Sequence, residues 1–252
     1  MPITNTGEAV LSMPDNNISA QRVVQRVDWQ RVDTVLLDMD GTLLDLYFDN
    51  YFWQAHLPQR YAEQHGLSRA DALAFLESRF AEEHGKLNWY CLDFWRDELK
   101  LDIVALKREV SHLIAMRPHS ATFLDALKQA GKSIWLVTNA HMDSVGIKLE
   151  HTPLAKWLDR IVSSHQLGAA KETMAFWHAL QACHAFDATR TLFVDDTESV
   201  LRAAHEYGIG QVLCITHPDS TLPVRSVQGF PAIADFDQIL PVTHSVVVRG
   251  ES

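Results

Sequence analysis

The strongest constraint on what this chain can fold into is a repeated alternation. Short β-branched and apolar runs, each stopped by a turn or a polar residue, are separated by amphipathic stretches of helical period. The runs fall at 34–37 (TVLL), 133–137 (SIWLV), 160–162 (RIV), 191–194 (TLFV) and 211–215 (QVLCI). Helical patterns fill 121–130, 142–150, 173–183 and 198–207, with Gly131 and Gly208 standing where helices stop. Continuous apolar strands are buried on both faces, and each parallel return needs a crossover. The pattern therefore predicts an α/β fold, a parallel sheet covered by helices on both sides.

One interval breaks the alternation. From Leu46 to Pro118 there is no strand-like run, but several amphipathic stretches follow one another, among them 68–83, which opens with Ser68-x-x-Asp71. This insert leaves the sheet directly after the acidic turn of the first strand. It is expected to sit above the strand ends, where open α/β sheets bind ligands. The expected division is a core of 27–45 and 118–242, a helical cap of 46–117, and flexible tails at 1–26 and 243–252, the first rich in Asn, Ser, Thr and Pro. The connections at 44–48 and 115–122 are the expected hinges of cap movement.

Charge and cysteine content narrow the function classes. Twenty-two Lys and Arg against 32 Asp and Glu give a net charge of -10, which repels a phosphate backbone, so no nucleic-acid partner is expected. Cys91, Cys183 and Cys214 lie far apart with no Cys-x-x-Cys pair, as in a reducing compartment. No 18-residue apolar run and no signal-peptide core occur, so the expectation is a cytoplasmic protein without a membrane partner, monomeric or a small homo-oligomer.

Four separated signals fall at the C-terminal ends of the predicted strands: Asp38 and Asp40 in DMDGT, Thr138 in LVTNA, Lys171 in GAAKE, and Asp195 with Asp196 in FVDDTESV. Singly, each is ordinary turn or cap chemistry. Together they bring carboxylates onto one rim, where mutual repulsion and burial demand a cation. Oxygen ligands suit Mg2+, whose remaining shell comes from water and substrate phosphate, and a nearby lysine and hydroxyl suit the other phosphate oxygens. Thirteen histidines supply no His-Glu-x-x-His, His141 is given no catalytic role, and Ser163, Ser164 and His165 lack the Gly-x-Ser-x-Gly elbow of a serine hydrolase.

DMDGT, Thr138, Lys171 and DDTES, in that order, resemble the four motifs of the haloacid dehalogenase (HAD) superfamily. The resemblance implies a Rossmann-like three-layer HAD core and a phosphoryl-transfer site. Asp38 would be the nucleophile that forms an aspartyl phosphate, and Asp40 the general acid and then base. Gly41, Thr138, Asn139 and Lys171 would hold the phosphate. Mg2+ would take a carboxylate oxygen of Asp38, the backbone carbonyl of Asp40 and the carboxylate of Asp196, with Asp195 acting through water. Asp40 is the phosphatase variant of its motif, because an alkoxide leaving group needs a proton. Glu172, where many relatives carry Pro, and Val200, at a position often acidic, depart from the pattern.

Longer strings, DTVLLDMDGTLLDL, FDNYFW, LNWYCLDFW, TNAH, KLEHT and RTLFVDD, resemble the purine 5′-nucleotidases of this superfamily over roughly 27–240. That likeness includes the insert and implies a nucleotide substrate, with hydrolysis of GMP and IMP. The rivals are a sugar-phosphate phosphatase or phosphomutase and, more remotely, a non-catalytic binding protein on the same scaffold. The insert holds Tyr51, Phe52, Trp53, Trp89, Tyr90, Phe94 and Trp95, the usual makings of a small core. Asn50, Tyr51 and Trp53 lie nearest Asp38 in sequence and are the first candidates for base contact, while Asn88 is read as a helix N-cap or a second polar contact.

Overall fold

The computed structural model describes residues 27–243, so the expectations for tails at 1–26 and 243–252 lie, but for Thr243, outside the described residues. Among these residues the sheet has six parallel strands: β1 (Thr34–Leu37), β2 (Ser133–Thr138), β3 (Arg160–Ser163), β4 (Thr191–Asp195), β5 (Gln211–Ile215) and β6 (Ala232–Ile233). Their order is β3-β2-β1-β4-β5-β6. The central strand β1 is fully covered by neighbours, Leu37 pairing with Leu136 on one side and Val194 on the other. β1 and β4 are buried along their whole length, as parallel strands with helices on both faces must be.

Ten α-helices surround or extend from this sheet among the described residues. Five form the insert: α1 (Tyr47–Tyr51), α2 (Leu57–His65), α3 (Arg69–Glu83), α4 (Leu92–Leu99) and α5 (Ile103–Glu109). The rest cover the sheet: α6 (Ser120–Gln129), α7 (Met142–His151), α8 (Ser164–Leu167), α9 (Met174–Cys183) and α10 (Glu198–Tyr207). One apolar cluster gathers Val35, Leu37, Phe123, Leu127, Ile134 and Leu192 with their neighbours. A second, on other strand side chains, gathers Leu36, Val137, Trp177, Phe193 and Leu201. Alternate residues of a strand face opposite layers, which is why Leu36 and Leu37 belong to different clusters.

The insert has a core of its own around Phe48, Phe52, Leu76, Trp95 and Leu106. Ser68 caps α3, accepting from the Asp71 amide at 3.1 Å. Asn88 is not a cap: it lies inside a short 3-10 turn, Leu87–Tyr90, with its amide on Glu83, and α4 is capped by the Cys91 sulfur instead. The two connections to the core run side by side, joined by an antiparallel bridge between Leu44 and Met116 and by the Asp45 amide on the Ala115 carbonyl at 2.9 Å. Buried Arg117 pins this double connection to the core by donating to the carbonyls of Thr42, His217 and Ala234.

Candidate active site

The C-terminal ends of β1, β2 and β4 and the loop between α8 and α9 converge beneath the insert, around a cleft of about 610 Å³. Asp38 follows β1 immediately, and its amide still bonds the Val194 carbonyl, so the ladder fixes its backbone. The chain then turns within four residues, with the Gly41 and Leu44 amides closed on the carbonyls of Leu44 and Met39. Gly41 has φ +81°, and a Cβ there would lie 2.9 Å from Asp196 Cγ and 2.9 Å from Pro218 Cβ. Only glycine fits, for conformation and for space.

Asp38, Asp195 and Asp196 are all buried and each offers a carboxylate oxygen within 4.8 Å of the other two. Lys171, 2% exposed, donates to Asp38 at 2.5 Å and to Asp195 at 2.7 Å, while the partly exposed Arg225 guanidinium reaches Asp196 at 3.4 Å. Burial pushes Asp38 up to about 6 against the pull of Lys171, and does the same to Asp195. Asp196, whose burial is reinforced by the charge of Asp38, is pushed up to about 7. The Lys171 ammonium would be lowered by burial, but its two carboxylate partners hold it well above its ordinary value. Three carboxylates against one buried ammonium and one partly exposed guanidinium still leave an excess of negative charge lined with hard oxygen donors. This donor set fits a small divalent cation that keeps part of its water shell.

The other expected phosphate ligands lie on the same rim. Thr138 is buried and its hydroxyl accepts from the Ala140 amide at 3.0 Å. The side-chain carbonyl of Asn139 accepts from the Lys171 amide at 2.9 Å, tying the second signal to the third. Val200 is buried among apolar neighbours of the sheet. Ser163 donates to the Ala140 carbonyl at 2.7 Å and organises the loop rather than forming a hydrolase triad.

Of the three residues first expected to touch a base, Asn50 and Trp53 line the cleft. Tyr51 does not: it is 36% exposed and tilts against Tyr47. Residues 50 and 53 share a helical face, whereas 51 is turned about 100° from 50 by the helical repeat. Asn50 is held by Asp219, which accepts its amide at 2.7 Å. Trp89 and Tyr90 also line the cleft from the insert. Tyr90 donates at 2.6 Å to Glu172, whose second oxygen accepts from the Asn139 side chain at 3.0 Å. Glu172, one of the two departures from the family pattern, thus joins the insert to the core.

Sequence reasoning missed one feature altogether. Lys148 of α7 and Lys107 of α5, each 1% exposed, form an alternating chain with Asp40 and Asp49. Lys148 donates to both Asp40 and Asp49 at 2.6 Å, and Lys107 donates to Asp49 at 2.6 Å. Burial pushes Asp40 up to about 6 despite Lys148. Burial would also raise Asp49, but the two ammonium groups hold it well below the usual carboxylate range.

A family model described as haloacid dehalogenase-like hydrolase matches residues 32–208. The GMP/IMP nucleotidase YrfG of Escherichia coli (strain K12) is 43% identical over 215 residues, covering 85% of this chain and 97% of that protein. Among solved structures, a HAD phosphatase from Thermococcus onnurineus superposes with TM-score 0.67 at 18% identity, covering 80% of this chain and 92% of the other. The putative HAD-hydrolase YfnB from Bacillus subtilis superposes with TM-score 0.52 at 16% identity, covering 85% and 94%. At those identities the two structures speak for the fold. Among the described residues, no helix is long and apolar enough to cross a membrane.

Proposed function

The chain belongs to the haloacid dehalogenase-like hydrolase family, and from that premise we propose that it hydrolyses purine ribonucleoside 5′-monophosphates, GMP and IMP, to nucleoside and phosphate. The observation that carries this reading is the 43% identity to a GMP/IMP nucleotidase over 85% of the chain. Identity of that extent takes in the insert, whose side chains line the cleft above the acidic rim.

In this reading the Asp38 carboxylate attacks phosphorus, forming the aspartyl phosphate as the bond to the ribose 5′ oxygen breaks. Asp40 gives its proton to that oxygen, and the nucleoside leaves. Asp40 then takes a proton from water as the water attacks phosphorus, releasing phosphate and restoring Asp38. Lys171, Thr138, Asn139 and the backbone around Gly41 hold the phosphate oxygens. Asp38, Asp196 and the Asp40 carbonyl are the residues that would hold Mg2+, with Asp195 reaching it through water. When bound, the ion supplies positive charge to a site otherwise too negative to admit an anionic ester.

Asn50 and Trp53, with Trp89 and Tyr90, are the side chains we assign to the flat base, because they line the cleft from the insert. Three free cysteines fit a cytoplasmic setting. A panel of phosphate monoesters, assayed for magnesium-dependent release of inorganic phosphate, tests the reading. Purine ribonucleotides are expected to exceed pyrimidine ribonucleotides and sugar phosphates in kcat/KM by at least about tenfold, a difference of about 1.4 kcal/mol in transition-state binding. Equal or greater activity on sugar phosphates would overturn the substrate. Return of the phosphoryl group to substrate would instead make the protein a mutase.

A further inference from the structure

The buried chain Asp40–Lys148–Asp49–Lys107 crosses the boundary between insert and core. Asp40 and Lys148 belong to the core, on the first acidic turn and on α7; Asp49 and Lys107 belong to the insert, on α1 and α5. Each side therefore carries its own carboxylate and its own ammonium. The two neutral pairs are joined by a single bond, from Lys148 to Asp49 at 2.6 Å. Breaking that bond strands no buried charge, since each ion keeps a partner, and this distinguishes it from an ordinary buried salt bridge. Lys107 is further held within the insert by the rings of Phe48 and Phe52, 4.9 and 4.6 Å from its nitrogen. Asp49 sits just beyond the double connection through Leu44 and Met116, so it moves with the insert about that connection while Lys148 stays with the core. Asp40 lines the cleft, and Lys148 engages its Oδ1, leaving Oδ2 for a leaving group.

We propose that Lys148 and Asp49 are positioning residues that couple seating of the insert to the placement of the Asp40 carboxylate. With the insert seated, Asp49 fixes the Lys148 ammonium between two carboxylates, and Asp40 is held in one orientation toward the leaving oxygen. With the insert lifted, Lys148 keeps Asp40 but loses its second anchor. The inference rests on the reading of Asp40 as proton donor, and it extends that reading to two residues outside the four motifs.

The test compares leaving groups. A nucleoside alkoxide needs a proton to depart, whereas p-nitrophenolate does not, and kcat/KM reports only the steps through phosphoryl transfer. Lys148→Met is expected to lower kcat/KM for GMP by about 10²-fold, and for p-nitrophenyl phosphate by less than about tenfold. Lys148→Arg, which can still bridge two carboxylates, recovers most of the loss. Asp49→Asn lowers GMP turnover about tenfold, and the double variant is no worse than Lys148→Met, because the two act as one unit. Equal losses on both esters, or additive losses in the double variant, overturn the proposal. The Lys148 variants leave Asp49 paired with Lys107, so they stay informative should Asp49→Asn fail to fold. If the wild type favours an alkyl phosphate other than a nucleotide, the same comparison runs on that ester, which separates failure of this inference from failure of the substrate assignment.

Discussion

Replacement of Gly41 by alanine is the most closely specified perturbation of this site. The residue has φ +81°, where a Cβ costs about 1–2 kcal/mol in backbone strain. The added methyl would lie 2.9 Å from Asp196 Cγ, 3.0 Å from its Oδ2 and 2.9 Å from Pro218 Cβ, closer than carbon and oxygen atoms pack. Something must move, and relief of such overpacking costs about 1–3 kcal/mol more. The total, about 2–5 kcal/mol, corresponds to a fall in Tm of roughly 4–20 °C for a domain of this size. Because Asp196 belongs to the three-carboxylate cluster, the shift also displaces a residue proposed to hold Mg2+, and a misplacement of about 1 Å costs on the order of 10²-fold in rate. Thermal unfolding with and without Mg2+, followed by phosphate release across a magnesium titration, measures both effects. A variant with an unchanged Tm and an unchanged magnesium midpoint would refute the claim that Gly41 is held open by its contact with Asp196.

Three further outcomes follow from the site. Asp38 and Asp195 are pushed up to about 6 and Asp196 to about 7, so between about pH 4 and 7 the native state binds more protons than the unfolded chain. The metal-free protein therefore loses stability as pH rises through that window, by up to about 4 kcal/mol from Asp196 alone. Mg2+ needs the charged carboxylates, so the magnesium-induced rise in Tm should be large at pH 8 and shrink below pH 6; a rise independent of pH would contradict this. Tyr90→Phe removes a hydrogen bond of 2.6 Å to Glu172 and should cost about 1–2 kcal/mol in stability and raise KM for the nucleotide severalfold without moving the magnesium midpoint, as titrations of both would show. Asn50→Ala should raise KM for GMP but leave p-nitrophenyl phosphate unaffected, and equal effects on both esters would remove it from the base site.

The acidic rim was legible in the sequence because its residues stand where apolar runs end. The runs nevertheless fell one residue short at β2, β3 and β4, whose last members are Thr138, Ser163 and Asp195. The backbone ladder continues after the hydrophobic signal has stopped: Thr138 and Asp195 are polar where they face the site, and Ser163 is polar because its hydroxyl bonds the Ala140 carbonyl. β6 escaped because two residues carry no period. Nothing in the sequence singles out Lys107 or Lys148, since a lysine near a helix C-terminus is favoured on dipole grounds alone, and only the tertiary arrangement shows both buried. Tyr51 lies outside the cleft lining because nearness to Asp38 along the chain does not fix which way a helical side chain points. Asn88 has the chemistry of a cap, but the local 3-10 turn carries the chain past it to Cys91.

The central claim is that Asp38 meets phosphorus directly in a site made tolerable to an anionic ester by a divalent cation. Asp38→Asn keeps the shape of the side chain and relieves part of the repulsion around Asp195 and Asp196, so the variant should fold at least as stably as the wild type. Phosphate release from GMP in saturating Mg2+ should fall by at least about 10³-fold, the scale seen when a nucleophile is removed and only binding remains. Turnover within about tenfold of wild type would contradict the covalent mechanism and the role given to the acidic rim.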